Sequence, residues 1–255
     1  MGCGWLGLPL ASSLIAKGFN VKGSTTSLGK LNTLKSAGIT PFLIDINLPE
    51  KELNAFLNSE VLIIAITNKN SESFKKLISK IELSPIKKLL FISSTSVYDN
   101  NNGVVTEDTP INKSPLSAIE HLFVKNTKFK TTILRFGGLF GYNRNPGAFF
   151  KNGLAIENPE GTINLIHRDD CINIIEQIIL KKVWGECFNA CADSHPKRRE
   201  FYTKKIMEMG VAKLYFNENS ANDFKIVSSE KLKSKIGFHF KSLLSDKKEA
   251  NLMAS

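Results

Sequence analysis

The sequence predicts an α/β chain whose strands form a doubly wound parallel sheet. Three observations lead there. A glycine-rich stretch, Gly2-Cys3-Gly4-Trp5-Leu6-Gly7, opens a helical pattern. Two continuous apolar runs, 61–66 and 89–93, have the length and composition of strands buried on both faces. Helical patterns separate such runs, so successive strands lie parallel and are joined by right-handed crossovers.

Each element follows from its local pattern. After the glycines, Leu6, Leu10 and Leu14 make one helical stripe, with Ala11 and Ile15 beside it. Pro9 fits a first turn, and Lys17-Gly18 forms a basic, glycine-terminated end. Residues 19–23 read as a short strand, 28–37 as a helix stopped by Gly38, and 41–46 as a strand ending near Asp45. Helical spacing returns over 71–81 and 116–125, with the next strand at 131–135. Beyond about residue 150 the pattern changes. A short extended piece covers 164–167, Asp169 or Asp170 caps a helix over 171–182, and 186–190 is a strand. Two basic helices, 196–205 and 228–235, flank a strand at 214–216, and 246–255 reads as a frayed tail.

Composition narrows the function classes. The chain has 255 residues, 42% hydrophobic and 23% charged, enough to bury one substantial core. No apolar run approaches the roughly 18 residues of a membrane-spanning helix. The opening lacks the basic start and unbroken apolar run of a signal peptide. Four cysteines in so long a chain do not make a disulfide scaffold, and a reducing cytoplasm is expected. The net charge of +10 suits an anionic partner. No basic helix or aromatic–basic motif points to nucleic acid, whereas a phosphate-bearing small molecule needs only a local basic site.

The Gly2, Gly4, Gly7 spacing is G-x-G-x-x-G. Its mechanics are a tight turn, close backbone approach to a diphosphate and close helix–sheet packing, with the helix amino end facing the phosphates. Gly2, Gly4, Trp5, Leu6 and Gly7 are therefore candidate cofactor contacts in a Rossmann-type dinucleotide-binding domain. A glycine-rich turn that binds nothing is the plainer alternative. Such a motif follows a strand, and only Met1 precedes Gly2, so one more strand is expected ahead of it. At the end of the second strand, where an acid favours NAD, stand Ser24, Thr25, Thr26 and Ser27, with Lys22 and Lys30 nearby. No carboxylate repels a 2′-phosphate there and no Arg clasps one. Ser24, Thr25, Thr26 and Lys30 therefore favour NADP over NAD, unless these residues only form a turn and cap the next helix.

A family resemblance rests on four further segments. Phe91-Ile92-Ser93-Ser94-Thr95-Ser96-Val97-Tyr98 resembles the S-S-x-x-V-Y segment of the extended short-chain dehydrogenase/reductases, the NAD-dependent epimerase/dehydratase family. Leu134-Arg135-Phe136-Gly137-Gly138-Leu139-Phe140-Gly141 resembles that family's next strand and nicotinamide-side loop. Asn164-Leu165-Ile166-His167-Arg168-Asp169-Asp170 is similar to its I-H-x-D-D segment, and Cys187-Phe188-Asn189 to its later strand. The glycine-rich opening is most similar to the atypical, YeeZ-like branch. The resemblance implies that Ser94 meets the reacting oxygen, that Asp45 and Ile46 contact adenine, and that Ala65, Ile66 and Thr67 line the cofactor. It also implies that Phe136, Gly137 and Gly138 lie by the nicotinamide. For Ser94, a strand-end hydroxyl that satisfies backbone groups is the plainer alternative. Residues 1–160 would form the NAD(P)-binding domain, and 161–255 the last sheet elements and a small substrate-side region.

One departure bears on chemistry. The family uses a Tyr-x-x-x-Lys pair, and no tyrosine here has a lysine four residues on: Tyr98, Tyr142, Tyr202 and Tyr215 are followed there by Asn102, Pro146, Ile206 and Asn219. Aligning Glu120 with the family's helix Glu puts Asn112 and Leu116 at the Tyr and Lys positions. Tyr142, and after it Tyr98, are the candidate substitutes for the base. Cys187, Cys191 and His195 lack a fourth zinc ligand, and no metal is expected. Adjacent His121 and Glu120 do not face each other on a helix. His167 with Asp169 and Asp170 could touch substrate, but helix capping is the commoner use. The leading reading is a cytoplasmic NAD(P)-binding protein, an oxidoreductase or epimerase on a small metabolite such as a sugar nucleotide. Its rival is a non-catalytic dinucleotide-binding module used in regulation or protein interaction.

Overall fold

The computed structural model describes residues 1–49, 52–150, 154–210 and 214–241. The chain runs α1 (Gly7–Ala16), β1 (Lys22–Thr25), α2 (Leu31–Ser36), β2 (Thr40–Leu43), α3 (Leu53–Leu57), β3 (Val61–Ile64), α4 (Ser71–Glu82) and β4 (Lys88–Ser94). It continues through β5 (Gly103–Val105), α5 (Pro115–Val124), β6 (Lys130–Phe136), β7 (Gly138–Phe140), β8 (Leu165–His167) and α6 (Arg168–Leu180). The last elements are β9 (Cys187–Ala190), α7 (Arg198–Glu208), β10 (Lys225–Val227) and α8 (Glu230–Ile236). Short 3₁₀ turns lie at Leu28–Lys30, Thr95–Val97 and Pro146–Phe150.

Two units share the chain. The first holds Met1–Val97, Ile111–Arg135 and Cys171–Phe188; the second holds Tyr98–Pro110, Phe136–Asp170 and the residues from Asn189 onward. Strand order is β3-β4-β6-β9 in one sheet, and β1 pairs with β2 in another. The β1–β2 and β3–β4 pairs are parallel, as are β7–β8 and β10–β5. This is the α/β, Rossmann-type architecture with parallel strands and flanking helices. In the first unit Met1–Cys3 bridges the two sheets. Met1 donates to Ile63 O (2.7 Å) and accepts from Ala65 N–H (3.0 Å), while Cys3 N–H donates to Ser24 O (2.7 Å).

The core of the first unit is built on aromatics. Phe74 of α4, Phe91 of β4 and Phe123 of α5 meet with centroids 4.9–5.9 Å apart, and Leu57, Ile64, Ile81, Leu89 and Ile119 close around them. Helix α4 starts where Asn70 accepts from Glu72 and Ser73 N–H groups (3.0 and 3.2 Å). Helix α5 starts with a Ser114–Ser117 capping box and Pro115 in its first turn. A buried ion pair then fixes α5 to β6: Arg135 donates to Glu120 from Nη2 (2.6 Å) and Nε (3.1 Å), and Ser93 of β4 donates to the same carboxylate. The second unit has its own core of Phe140, Ile156, Ile163, Leu165, Phe201 and Tyr202.

Several boundaries differ from the sequence reading for local reasons. The strand expected over 19–23 begins at Lys22, because Phe19 N–H still closes the last turn of α1 on Leu14 O (3.1 Å). The helix expected over 28–37 divides into a 3₁₀ turn and α2, and Gly38, with φ of 76°, ends it. Helix α6 begins at Arg168, so Asp169 and Asp170 sit in its first turn rather than at its cap, where they still suit the positive helix end. The strand expected at 214–216 is a single bridge from Phe216 to Ile156. Strands β5, β7 and β10, three residues each, are too short to show a period, and so is the five-residue α3. The expected tail at 246–255 lies outside the described residues.

Candidate functional site

The three motif glycines do different work. Gly2 has φ of 89°, and a Cβ there would stand 2.5 Å from Ala65 O and 2.7 Å from Ile66 Cγ2. A Cβ at Gly7 would stand 2.1 Å from Gly2 O, so helix and loop touch backbone to backbone. Gly4 is the opposite case. It is exposed, and nothing lies within 4 Å of where its Cβ would be. The fold needs the first and third glycines, whereas the space over the second is open for a ligand. Helix α1 begins beside that space with no side-chain cap and no acidic residue in its first turn. An anion there meets N–H groups and the positive end of the helix dipole. Cys3 and Gly4 N–H groups donate to Ser24 O (2.7 Å) and Gly2 O (2.9 Å).

The strand ends around this loop form the rest of the cradle. Ser24 is buried, and its hydroxyl accepts from Gly2 N–H (3.1 Å), so it holds the loop and does not reach toward solvent. Thr25 is half-buried with its hydroxyl accepting from Ser27 N–H (3.1 Å), while Thr26, Ser27 and Lys30 are exposed. Lys22 is occupied elsewhere, donating to Ala55 O and Asn58 O (2.7 and 2.8 Å). At the end of β2, Asp45 Oδ1 accepts from Asn47 N–H (2.9 Å) and from its side chain (2.8 Å). Asn47 Oδ1 then accepts from Asn68 (2.9 Å) and from the Ser73 hydroxyl (2.9 Å). Asn68 Oδ1 accepts from Asn70 N–H (2.7 Å), and Asn70 caps α4. The sequence reading named Asp45 as an adenine contact and did not name Asn47 and Asn68, to which it is joined here. Their signal was the Asn68-Lys69-Asn70 cluster directly after a buried strand, a combination typical of Asx turns. Ala65 and Ile66 lie against Gly2, Ile46 is half-buried beside the core, and Thr67 is exposed.

Ser94 ends β4 half-exposed, with its hydroxyl accepting from Ser96 N–H (3.1 Å). Asn112 comes to the same turn: its N–H donates to Val97 O (2.7 Å) and its side chain to Ser96 O (3.1 Å). Leu116 packs on the core from half-buried. Glu120 points inward to Arg135 and Ser93, while His121 is exposed, so the two do not act together.

In the second unit the candidate bases take other partners. Tyr98 is buried, and its hydroxyl donates to Asn189 Oδ1 (2.8 Å). Tyr142 has φ of 55° and donates to both oxygens of Asp169 (3.0 and 2.9 Å), with the Arg168 guanidinium 3.7 Å over its ring. Burial, and then the hydrogen bond to Asp169, push its phenol above the ordinary value. His167 is buried beside the Tyr142 ring, and its Nδ1 accepts from Asp169 N–H (3.2 Å). Asp170 is buried and accepts from Lys241 N–H (3.2 Å). Phe136 is buried in the core. A Cβ at Gly137 would stand 2.8 Å from Asn164 O, a backbone contact that requires glycine, whereas at Gly138 the neighbour at 2.6 Å is the side-chain tip of Leu165. The Cys191 thiol is buried 3.5 Å from Leu165 O, and among the described residues no three His, Cys, Asp or Glu side chains gather as a metal site.

No family model matches the chain. It is 30% identical over 259 positions to protein YeeZ of Escherichia coli K12, the match covering 94% of each. Two solved structures share its fold. One is UDP-glucuronic acid 4-epimerase of Bacillus cereus in complex with UDP-glucuronic acid and NAD, with a TM-score of 0.78, 18% identity and coverage of 96% of this chain and 93% of that one. The other is a short-chain dehydrogenase/reductase superfamily protein of Agrobacterium tumefaciens with bound NAD, with a TM-score of 0.75, 15% identity and coverage of 95% and 91%. A match of this identity over nearly the full length of both chains makes the chain a member of the family of protein YeeZ.

Proposed function

We propose that the chain binds a nicotinamide dinucleotide, NADP in preference to NAD, together with a small metabolite such as a sugar nucleotide. The observation that carries dinucleotide binding is the open space over Gly4 at the uncapped amino end of α1. The first turn of α1 would hold the diphosphate. Thr25, Thr26 and Lys30 would face the adenosine ribose, and Asp45, Ile46, Asn47 and Asn68 the adenine. Ala65, Ile66 and Thr67 would line the path between. The absence of a carboxylate among residues 24–27, with exposed hydroxyls and Lys30 there, supports NADP. Structural neighbours hold UDP-sugars beside NAD, which supports the class of metabolite.

A bound nicotinamide supplies a hydride donor or acceptor. The chain's own residues then set the rate. Ser94 offers a hydroxyl that orients a substrate oxygen and has no second group to take its proton. Asn112 and Leu116 bring neither a phenol nor a cation to this turn. General acid–base assistance is worth about 10²–10⁴-fold, so turnover is slow. Tyr142 holds its proton against Asp169 and makes a poor base.

Calorimetric titration with NADP and NAD tests the binding, and a sugar-nucleotide screen with both reduced cofactors tests the chemistry. Tighter NAD binding overturns the cofactor preference, and binding of neither overturns the reading. Brisk turnover that survives both Ser94→Ala and Tyr142→Phe refutes the assigned chemistry.

A further inference from the structure

One end of the first unit sets cations beside apolar side chains held out in water. Strands β3 and β4 are parallel, so α4 returns the chain from the end of one to the start of the other. Helix α5 ends ahead of β6, and Lys130 N–H donates to Lys87 O (2.9 Å), which brings the starts of β6 and β4 together. The two helix ends meet here too, where the Asn126 side chain donates to Glu82 (2.5 Å). The glycine loop lies at the other end, against Ala65 and Ile66 past the end of β3. Leu83 caps α4 and is 86% exposed; Val124 is the last residue of α5 and is 61% exposed. Both turns are built. The Ser84 hydroxyl donates to Ile81 O (2.6 Å) and accepts from Ile86 N–H (3.3 Å), and Ile86 is buried. Beside Val124, the Thr131 hydroxyl donates to Phe123 O (3.1 Å) and Lys125 N–H to His121 O (3.0 Å).

Lys87, Lys125, Lys128 and Lys130 stand exposed at the same end, and none of them forms an ion pair among the described residues. The acids nearby have other partners: Glu60 pairs with Lys88 (3.0 Å), and Glu82 accepts from Asn126. A lysine at a helix carboxyl end answers the helix dipole, which accounts for Lys125. Lys87, Lys128 and Lys130 belong to strand starts, and no dipole calls for Leu83 or Val124. We infer that this end docks on a membrane surface rich in anionic lipid, with the four lysines among the headgroups and Leu83 and Val124 at the boundary with the acyl chains. The lysines select an anionic partner, and the apolar side chains decide which one. A nucleic acid would answer the lysines but meet Leu83 and Val124 with phosphate and sugar. The single arginine of the first unit, Arg135, is buried and reads no base edge. A lipid surface answers both sets, because its headgroups carry the charge and its acyl boundary takes apolar side chains out of water.

The test is co-sedimentation of the full chain with phosphatidylcholine vesicles, with and without phosphatidylserine. Two double variants at exposed positions accompany the parent: Lys128→Glu with Lys130→Glu, and Leu83→Ser with Val124→Ser. The parent should sediment with the phosphatidylserine vesicles and not with phosphatidylcholine alone. The charge variant should lower that partition by about tenfold or more. The apolar variant should lower it by about fivefold or more, and added salt should weaken the binding of the parent. Both variants should melt with the parent, since the changed side chains lie in water. Absence of phosphatidylserine-dependent sedimentation overturns the inference. Loss in the charge variant with none in the apolar variant overturns it too, because the surface would then answer charge alone. Duplex DNA that binds as tightly as the vesicles, and equally in the parent and the apolar variant, would make nucleic acid the partner instead. Neither readout depends on cofactor binding.

Discussion

Gly4→Ala separates the ligand role of the glycine loop from its folding role. Gly4 is exposed, its φ lies outside the left-handed region, and no heavy atom lies within 4 Å of a Cβ placed there. Alanine at such a position stabilises by about 0.4–1 kcal/mol, because it restricts the unfolded chain. The same methyl group enters the space in which the diphosphate is proposed to lie. Losing one hydrogen bond to a charged group costs about 1.5–3 kcal/mol, or about ten- to a hundredfold in Kd. Gly7→Ala does the reverse. Its Cβ would stand 2.1 Å from the Gly2 carbonyl oxygen, and a backbone contact cannot yield as a side-chain tip does. Such overpacking costs about 1–3 kcal/mol. Thermal melting and calorimetric titration with NADP read both effects. Gly4→Ala should melt at or above the parent and bind about ten- to a hundredfold more weakly, whereas Gly7→Ala should melt lower. Undiminished affinity in Gly4→Ala would mean that no diphosphate lies over Gly4, and early melting would mean that the space is not open.

Three further outcomes are expected. Glu120→Leu leaves Arg135 buried without its partner and should cost about 3–5 kcal/mol in urea denaturation, with Arg135→Met on top recovering much of it; a single variant as stable as the parent refutes the pair's importance. Tyr98→Phe strands the buried Asn189 oxygen and should cost about 1–3 kcal/mol without changing cofactor affinity, and altered affinity would place Tyr98 in the site after all. Tyr142 should ionise after an exposed phenol, seen by comparing ultraviolet titrations of the parent and Tyr142→Phe. Its pKa is raised on folding, so any stability it lends is present below the unfolded value and lost as pH climbs through the folded one; ionisation ahead of exposed tyrosines contradicts this.

Legibility followed the length of the pattern. Helix α4 was readable from its repeated apolar spacing, and strands β3 and β4 from short continuous apolar runs set between helical patterns. The loop at Gly2–Gly7 was readable because three glycines at fixed spacing answer to three separate contacts, two of them with backbone and one with open space. Paired three-residue strands such as β5 with β10 were not, since their register lies between residues more than a hundred positions apart and neither member has a period of its own. The polar shelf at Asp45, Asn47 and Asn68 was half-readable for a related reason. One of its residues stands at a strand end, but the bond from Asn68 to Asn47 spans 21 positions and exists only once β2 and β3 are in place.

The same distinction bears on a chain in which no tyrosine has a lysine four residues on. Helix α5 is started by Ser114, Pro115 and Ser117 and anchored by Glu120 to Arg135 and Ser93. None of these residues occupies the Tyr or Lys position, so the helix does not depend on that chemistry for its place. Asn112 still meets the turn that carries Ser94, through Val97 O and Ser96 O, which serves the shape of the turn rather than a proton. Leu116 gives the core apolar contact where a lysine would need solvent or a counter-charge. Asn112 and Leu116 thus have structural contacts of their own, whatever their part in chemistry. The remaining tyrosines do not repair the loss by default: the Tyr98 hydroxyl is spent on Asn189, and that of Tyr142 on Asp169.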